Sequence, residues 1–265
     1  MTTRAFLVRG LIAGLLAGVV GFVVAYTVGE PHVETAVVIE EAAAAPAAAH
    51  DHARDNGDGH AHEHASAAAP LLSRGTQRTS GLLTATLAVG TALGGLVAIA
   101  AAFALGRIGR LSPRQSTALV SLVGFVAVAL VPFLKYPAIP PAVGSPTTIE
   151  ERTAQYFGFL LISVVAAVAA VVVATKVWRG RGSYPAVLAG AGGYLIVVVV
   201  AAALLPTVDE LGAFPASTLW SFRLGSLATL TALWATIGVV LAGLVGRLHA
   251  QDRAVRDRRA LAASL

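Results

Sequence analysis

Gly182–Val208 reads GSYPAVLAGAGGYLIVVVVAAALLPTV, 27 residues without a charge. A bilayer's hydrocarbon core is about 30 Å thick, and a helix rising about 1.5 Å per residue needs roughly 20 apolar residues to cross it. Outward from this stretch lie five more uncharged runs of at least 20 residues: Gly10–Gly29, Thr79–Gly106, Gln115–Leu134, Thr153–Thr175 and Leu224–Gly246. The sequence therefore predicts an all-α integral membrane protein with six transmembrane helices. Only 12% of its 265 residues are charged, against about 25% in soluble domains, and the mean hydropathy is +0.76.

The spans use more than half of the chain and leave no room for a separate soluble domain, so residues 1–265 read as one polytopic membrane domain. Within it lie a loop at 30–78 and a basic tail at 247–265. Arg4 and Arg9 ahead of the first run resemble a signal peptide, but signal cores are about 7–15 residues long and this run is 20; the expectation is a retained helix.

Charge placement sets the topology. The termini and the gaps after the second and fourth spans hold 13 basic residues, and the other three gaps hold six. Basic residues near span ends favour the cytoplasmic side, which places both termini in the cytoplasm and loop 30–78 outside. The pI near 10.1 then reflects topology and contact with the anionic lipids of the bilayer, and nucleic acid is not an expected partner. There is no cysteine, and Met1 is the single methionine, which excludes disulfides, thiolate metal sites and thioether copper sites.

Small residues four apart let helix backbones approach closely in lipid. Gly10, Gly14 and Gly18 have that spacing, as do Gly90 and Gly94, and Gly238, Ala242 and Gly246. In the long loop, Val33–Ala45 can continue as a short helix that Pro46 interrupts, and residues 47–69 are too poor in large apolar side chains to bury a core and are expected to be disordered. The other two external loops each follow a span ending in proline, Pro132 or Pro206, and precede a helix beginning near Arg152 or Arg223. Hairpins 3–4 and 5–6 thus read as a weak repeat with a period a little over 70 residues.

The external loop carries the sharpest chemical signal. His50, Asp51, His52, His60, His62, Glu63 and His64 form a flexible ligand for a borderline divalent cation, since neutral imidazole suits zinc, nickel, cobalt and copper. The spacing fits no rigid motif, so it offers affinity without selectivity; a soluble low-complexity filler is the alternative. On the outside, such a loop suits capture before uptake.

Enzyme signatures are missing: there is no P-loop, no H-E-x-x-H and no histidine or charge within a span. A lipid-directed enzyme in the outer loops is the remaining catalytic alternative, and no prosthetic group is expected. A transported cation would meet oxygen ligands at the outer rims, where Glu30, Glu34, Tyr136, Asp209 and Glu210 stand, with Arg152 and Arg223 as counter-charges for the acids or for lipid phosphate. For each, a polar helix end or interfacial anchor is the alternative. Pro132 and Pro206 lack a backbone donor, which is expected to free the Val128 and Ala202 carbonyls beside this entrance.

Three strings carry a family resemblance: VPFLKYPAIPPAVGSPTTIEERT (Val131–Thr153), FPASTLWSFRLGSL (Phe214–Leu227), and RGLIAGLLAG (Arg9–Gly18) with its exit Gly29-Glu30-Pro31. Together they resemble the CbtA-type family of predicted cobalt transporter subunits over nearly the whole chain apart from the histidine loop and basic tail. The resemblance implies a multi-pass protein of the bacterial plasma (inner) membrane linked to cobalt supply for cobalamin. It also implies a partner, a small single-span, histidine-rich second subunit. The expected function is a permease subunit for uptake of a divalent transition metal, cobalt before nickel, as substrate; a homo-oligomer is possible on this reading. The alternative is a non-transporting metal-binding membrane protein, a scaffold or sensor.

Overall fold

Glycine spacing governs how the first two spans meet. The computed structural model describes residues 2–52, 73–109, 111–208, 212 and 214–264, without the side chains of 43–52 and 146. Helix α1 (Thr3–Val24) passes through a π-helical turn, Ala25–Gly29, straight into α2 (Glu30–His52). The short α3 (Arg74–Thr76) leads through a second π-turn, Gln77–Gly81, into α4 (Leu82–Ala104). A Cβ added to Gly10 would overlap the Gly94 carbonyl, and one on Gly14 the Gly90 carbonyl, so the antiparallel backbones of α1 and α4 touch. Without a hydrophobic drive between helices in lipid, such close van der Waals contact is what holds them together.

Four further membrane-crossing units follow. Helix α5 (Pro113–Gly124) starts at a capping box in which Ser112 and Gln115 bond each other's backbone N–H. It continues through the π-turn Phe125–Leu130 into α6 (Val131–Lys135). Helix α7 (Ile149–Arg181) stops at Gly182, whose φ of +84° reverses the chain into α8 (Ser183–Leu204). Helix α9 (Ala216–Ala263) is one rod of 48 residues that includes most of the basic tail. No strand occurs among the described residues, and six helices are long and apolar enough to cross a membrane.

Two buried clusters organise the bundle. The first joins Phe6, Ala13 and Ala17 of α1, Val97 and Ala101 of α4, Ala129, and Leu233, Trp234, Ile237 and Leu241 of α9. The second joins Ala127, Phe159 and Ala166 of α7, and Tyr194 and Val198 of α8. The third span contributes to both and links the pair α7–α8 to the rest. Span 4 thus packs on span 5, while span 6 packs on spans 1 and 3. The two hairpins read as a repeat in the sequence are therefore embedded differently.

Two proline expectations change. Helix α2 continues past Pro46 to His52. Alanines flank the proline on both sides, and their high helical propensity offsets part of the roughly 3 kcal/mol that an interior proline costs. Residues 47–52 of the expected disordered segment are accordingly helical; 53–69 lie outside the described residues. At Pro132 the third span does not end either. The Val131 N–H bonds the Val126 carbonyl five residues back, and in that wide register the proline nitrogen faces the Ala127 carbonyl. The freed acceptor is thus Ala127, not Val128, and it takes a hydrogen bond from Ser163 Oγ at 2.8 Å. At Pro206 the helix stops two residues earlier, at Leu204, in keeping with the bias of a residue before proline away from helix.

Candidate functional site

The register set by the glycines continues beyond them. Counting equal steps from Gly14 and from Gly90 brings Tyr26 opposite Arg78 and Glu30 opposite Arg74. Arg74 Nη2 donates to Glu30 Oε2 at 2.7 Å. Arg78 donates to Glu34 at 3.0 Å, and to Tyr26 Oη at 3.4 Å with its guanidinium 5.4 Å from that ring's centre. Helix α2 is thereby tied to the segment leading into α4. Glu30, expected as a polar rim residue, is 9% exposed.

Glu30 lines a cavity of about 530 Å³ enclosed by the ends of spans 1, 2, 3, 4 and 6. Its walls are mainly apolar, Leu82, Val128, Phe133 and Trp234 among them, with oxygens from Glu30, Tyr136, Tyr156, Ser226 and Thr229. The Ser226 and Thr229 hydroxyls donate to the Phe222 and Gly225 carbonyls of their own helix, at 2.9 and 3.0 Å. Their lone pairs therefore remain available as acceptors. Six waters occupy on the order of 180 Å³ at about 30 Å³ each, so the chamber has room for a hydrated divalent ion. Its single carboxylate faces an arginine, and a cation binding Glu30 would take the place of that arginine.

A second cavity, of about 430 Å³, adjoins it and shares Tyr136, Ala138 and Tyr156. Lys135, Arg152 and Arg223 line it. Lys135 Nζ donates to the Leu205 carbonyl at 3.0 Å and Tyr136 Oη to the Pro206 carbonyl at 2.9 Å. The start of the proline loop after α8 is thereby pinned to the end of α6. Burial pushes the Tyr136 phenol above its ordinary range, which keeps it a donor. Arg152 Nη2 donates to the Ser145 carbonyl at 3.1 Å, and Gly144, at φ +92°, leaves the space that its guanidinium occupies.

Of the residues singled out in the sequence, the structure brings Glu30 and Tyr136 to one chamber and Tyr136, Arg152 and Arg223 to the next. His50, Asp51 and His52 fall in the last turns of α2, their side chains outside the description. His60, His62, Glu63, His64, Asp209 and Glu210 lie outside the described residues. No group of three or more potential metal-ligating His, Asp or Glu side chains occurs among the described residues. The sequence reading missed Arg74 as the partner of Glu30, although the glycine register points to it. It also missed Ser163, which the search for a donor to the carbonyl freed by Pro132 would have suggested; its hydroxyl lies 2.9 Å from Tyr194 Oη as well.

Six membrane-length helices around adjoining polar-lipped chambers define a multi-pass membrane protein. A family model described as probable cobalt transporter subunit (CbtA) matches residues 3–246, and the chain belongs to that family. It is a family of transporter subunits, not of enzymes, and membership implies partners. No curated protein and no solved structure matches the chain.

Proposed function

We propose that this protein is the membrane permease subunit for uptake of a divalent transition metal, cobalt before nickel, in the bacterial inner membrane. The observation that carries the reading is Glu30, a carboxylate nine-tenths buried in the wall of a chamber large enough for a hydrated ion. Membership of a cobalt-transporter family supports the choice of metal. On this reading both termini are cytoplasmic and the Glu30 end of the bundle faces outward. The histidine-bearing segment after α2 concentrates the ion there, alone or with a small histidine-rich partner.

Energy need not come from ATP. An inside-negative potential contributes roughly 2.3 kcal/mol per charge per 100 mV, hence about 4.6 kcal/mol for a divalent ion, enough for more than a thousandfold accumulation. Purified protein in liposomes carrying an imposed potential tests the proposal. Potential-dependent entry of radioactive cobalt is the expected result. Cobalt binding without entry would instead establish a metal-binding scaffold or sensor.

A further inference from the structure

The chamber next to the Glu30 cavity has the wrong charge to attract a bare metal ion. Three cations reach it from three different elements: Lys135 from α6, Arg152 from α7 and Arg223 from α9. All three are partly buried, and no carboxylate is among its described lining residues. Lys135 and Arg152 donate to neutral backbone carbonyls, which orient the two charged groups. Arg223 Nε is buried without a hydrogen-bond partner. Taking a cation out of water is costly unless an anion meets it. Guanidinium groups hold carboxylate or phosphate oxygens by two parallel bonds, and an ammonium adds a point charge. The volume of about 430 Å³ lies in the usual range for small-molecule sites, roughly 300–1,000 Å³.

We propose that this chamber is an oxyanion site, built by Lys135, Arg152 and Arg223 to hold the carboxylate or phosphate group of a small ligand. Resting on the uptake reading above, it receives the divalent metal as an anionic carboxylate complex. The complex docks by its anionic part, and the shared wall of Tyr136, Ala138 and Tyr156 separates that docked group from the cavity where Glu30 stands. A bare divalent ion would be repelled by three like charges where an anionic complex is attracted. Metal selectivity then begins with the ligand the metal carries.

The test uses the full chain in nanodiscs of phosphatidylcholine, with citrate and no metal, followed by titration calorimetry. Saturable binding that inorganic phosphate displaces is expected. Arg223→Gln and Lys135→Gln should each weaken it tenfold or more, while Arg114→Gln, at a cavity shared with Arg247 and His249, should leave it unchanged. Arg223→Lys, which keeps the charge and loses the fork, should weaken binding several-fold, and serves if the glutamine variant does not fold. No citrate binding by the parent, or equal binding by the Arg223 variants, overturns the proposal. Asp209 and Glu210 follow Val208 of the chamber wall; if citrate binds only after Asp209→Asn with Glu210→Gln, the chain's own acids fill the site and the proposal fails. Binding seen in phosphatidylcholine and lost in phosphatidylglycerol nanodiscs would keep the oxyanion site, assign it to a lipid headgroup and overturn the metal-complex route. Cobalt entry from citrate-free solution is measured separately, so failure here leaves the permease reading standing.

Discussion

Glu30 and Arg74 meet at 2.7 Å with unequal exposure, the carboxylate side chain 11% accessible and the guanidinium 37%. The acid belongs to the interior and the base to the rim. An arriving cation can therefore displace the base toward water while the carboxylate stays in place. Glu30→Gln should lower cobalt entry into liposomes about tenfold or more, with the protein still folded. Arg74→Gln should tighten cobalt binding, because the competitor is gone. Unchanged entry in the Glu30 variant would remove this residue from the path.

Close backbone contact between α1 and α4 leaves no space at Gly14. Overpacking costs about 1–3 kcal/mol and sometimes more, so Gly14→Val should lower the melting temperature in detergent by several degrees. Gly29→Ala, with nothing within 4 Å of the added Cβ, serves as the control and should melt close to the parent temperature.

The bond from Ser163 to the Ala127 carbonyl compensates for Pro132. Leaving that acceptor without a donor costs about 1–3 kcal/mol, although hydrogen bonds inside membranes average nearer 0.6 kcal/mol. Ser163→Ala should therefore destabilise by about 1 kcal/mol in a wild-type background. With Pro132→Ala, which restores an N–H in this register, the same substitution should cost less. Additive losses in the double-mutant cycle would show that the two sites are independent.

Deleting residues 50–64 removes the five clustered imidazoles. The cobalt concentration for half-maximal entry should rise while the maximal rate stays the same, since the segment gathers ions without forming their path. Imidazole binds metal only when neutral, and protonates below about pH 6.5. The difference between deletion and parent should accordingly shrink as pH falls toward 5.5 and be largest above 7. Loss of the maximal rate would make the segment part of the path.

Topology can be read in the cysteine-free chain with single cysteines at Ser66 and Ser264. An impermeant thiol reagent added to intact cells should label Ser66→Cys and spare Ser264→Cys. The reverse pattern would turn the metal route from uptake to export.

How far the sequence led differs from element to element. Six spans and the glycine contacts were legible because run length and four-residue spacing act locally. The α2 extension was not, because alanine propensity and an interior proline pull in opposite directions and only their balance decides. Pro132 announced a missing donor, but the π-turn ahead of it shifted the orphaned acceptor by one residue, from Val128 to Ala127. Glu30 was singled out as one of several rim oxygens; its burial depends on Arg74, 44 positions away, which no local pattern reveals. The basic character of the second chamber likewise emerges only when the ends of α6, α7 and α9 converge.

Helix α9 makes the molecule its own gauge. Forty-eight residues give a rod of about 72 Å, more than twice the hydrocarbon thickness of about 30 Å. Trp234 in the chamber wall and Ala263 near the far end belong to this one rod. A tilt of about ten degrees at Trp234 would swing Ala263 through roughly 7 Å, at about 1.5 Å of lever arm per residue. A rearrangement of one or two ångströms around a bound ion would thus be written several times larger at the tail, where a spectroscopic label or a docked partner could read it from outside the bilayer.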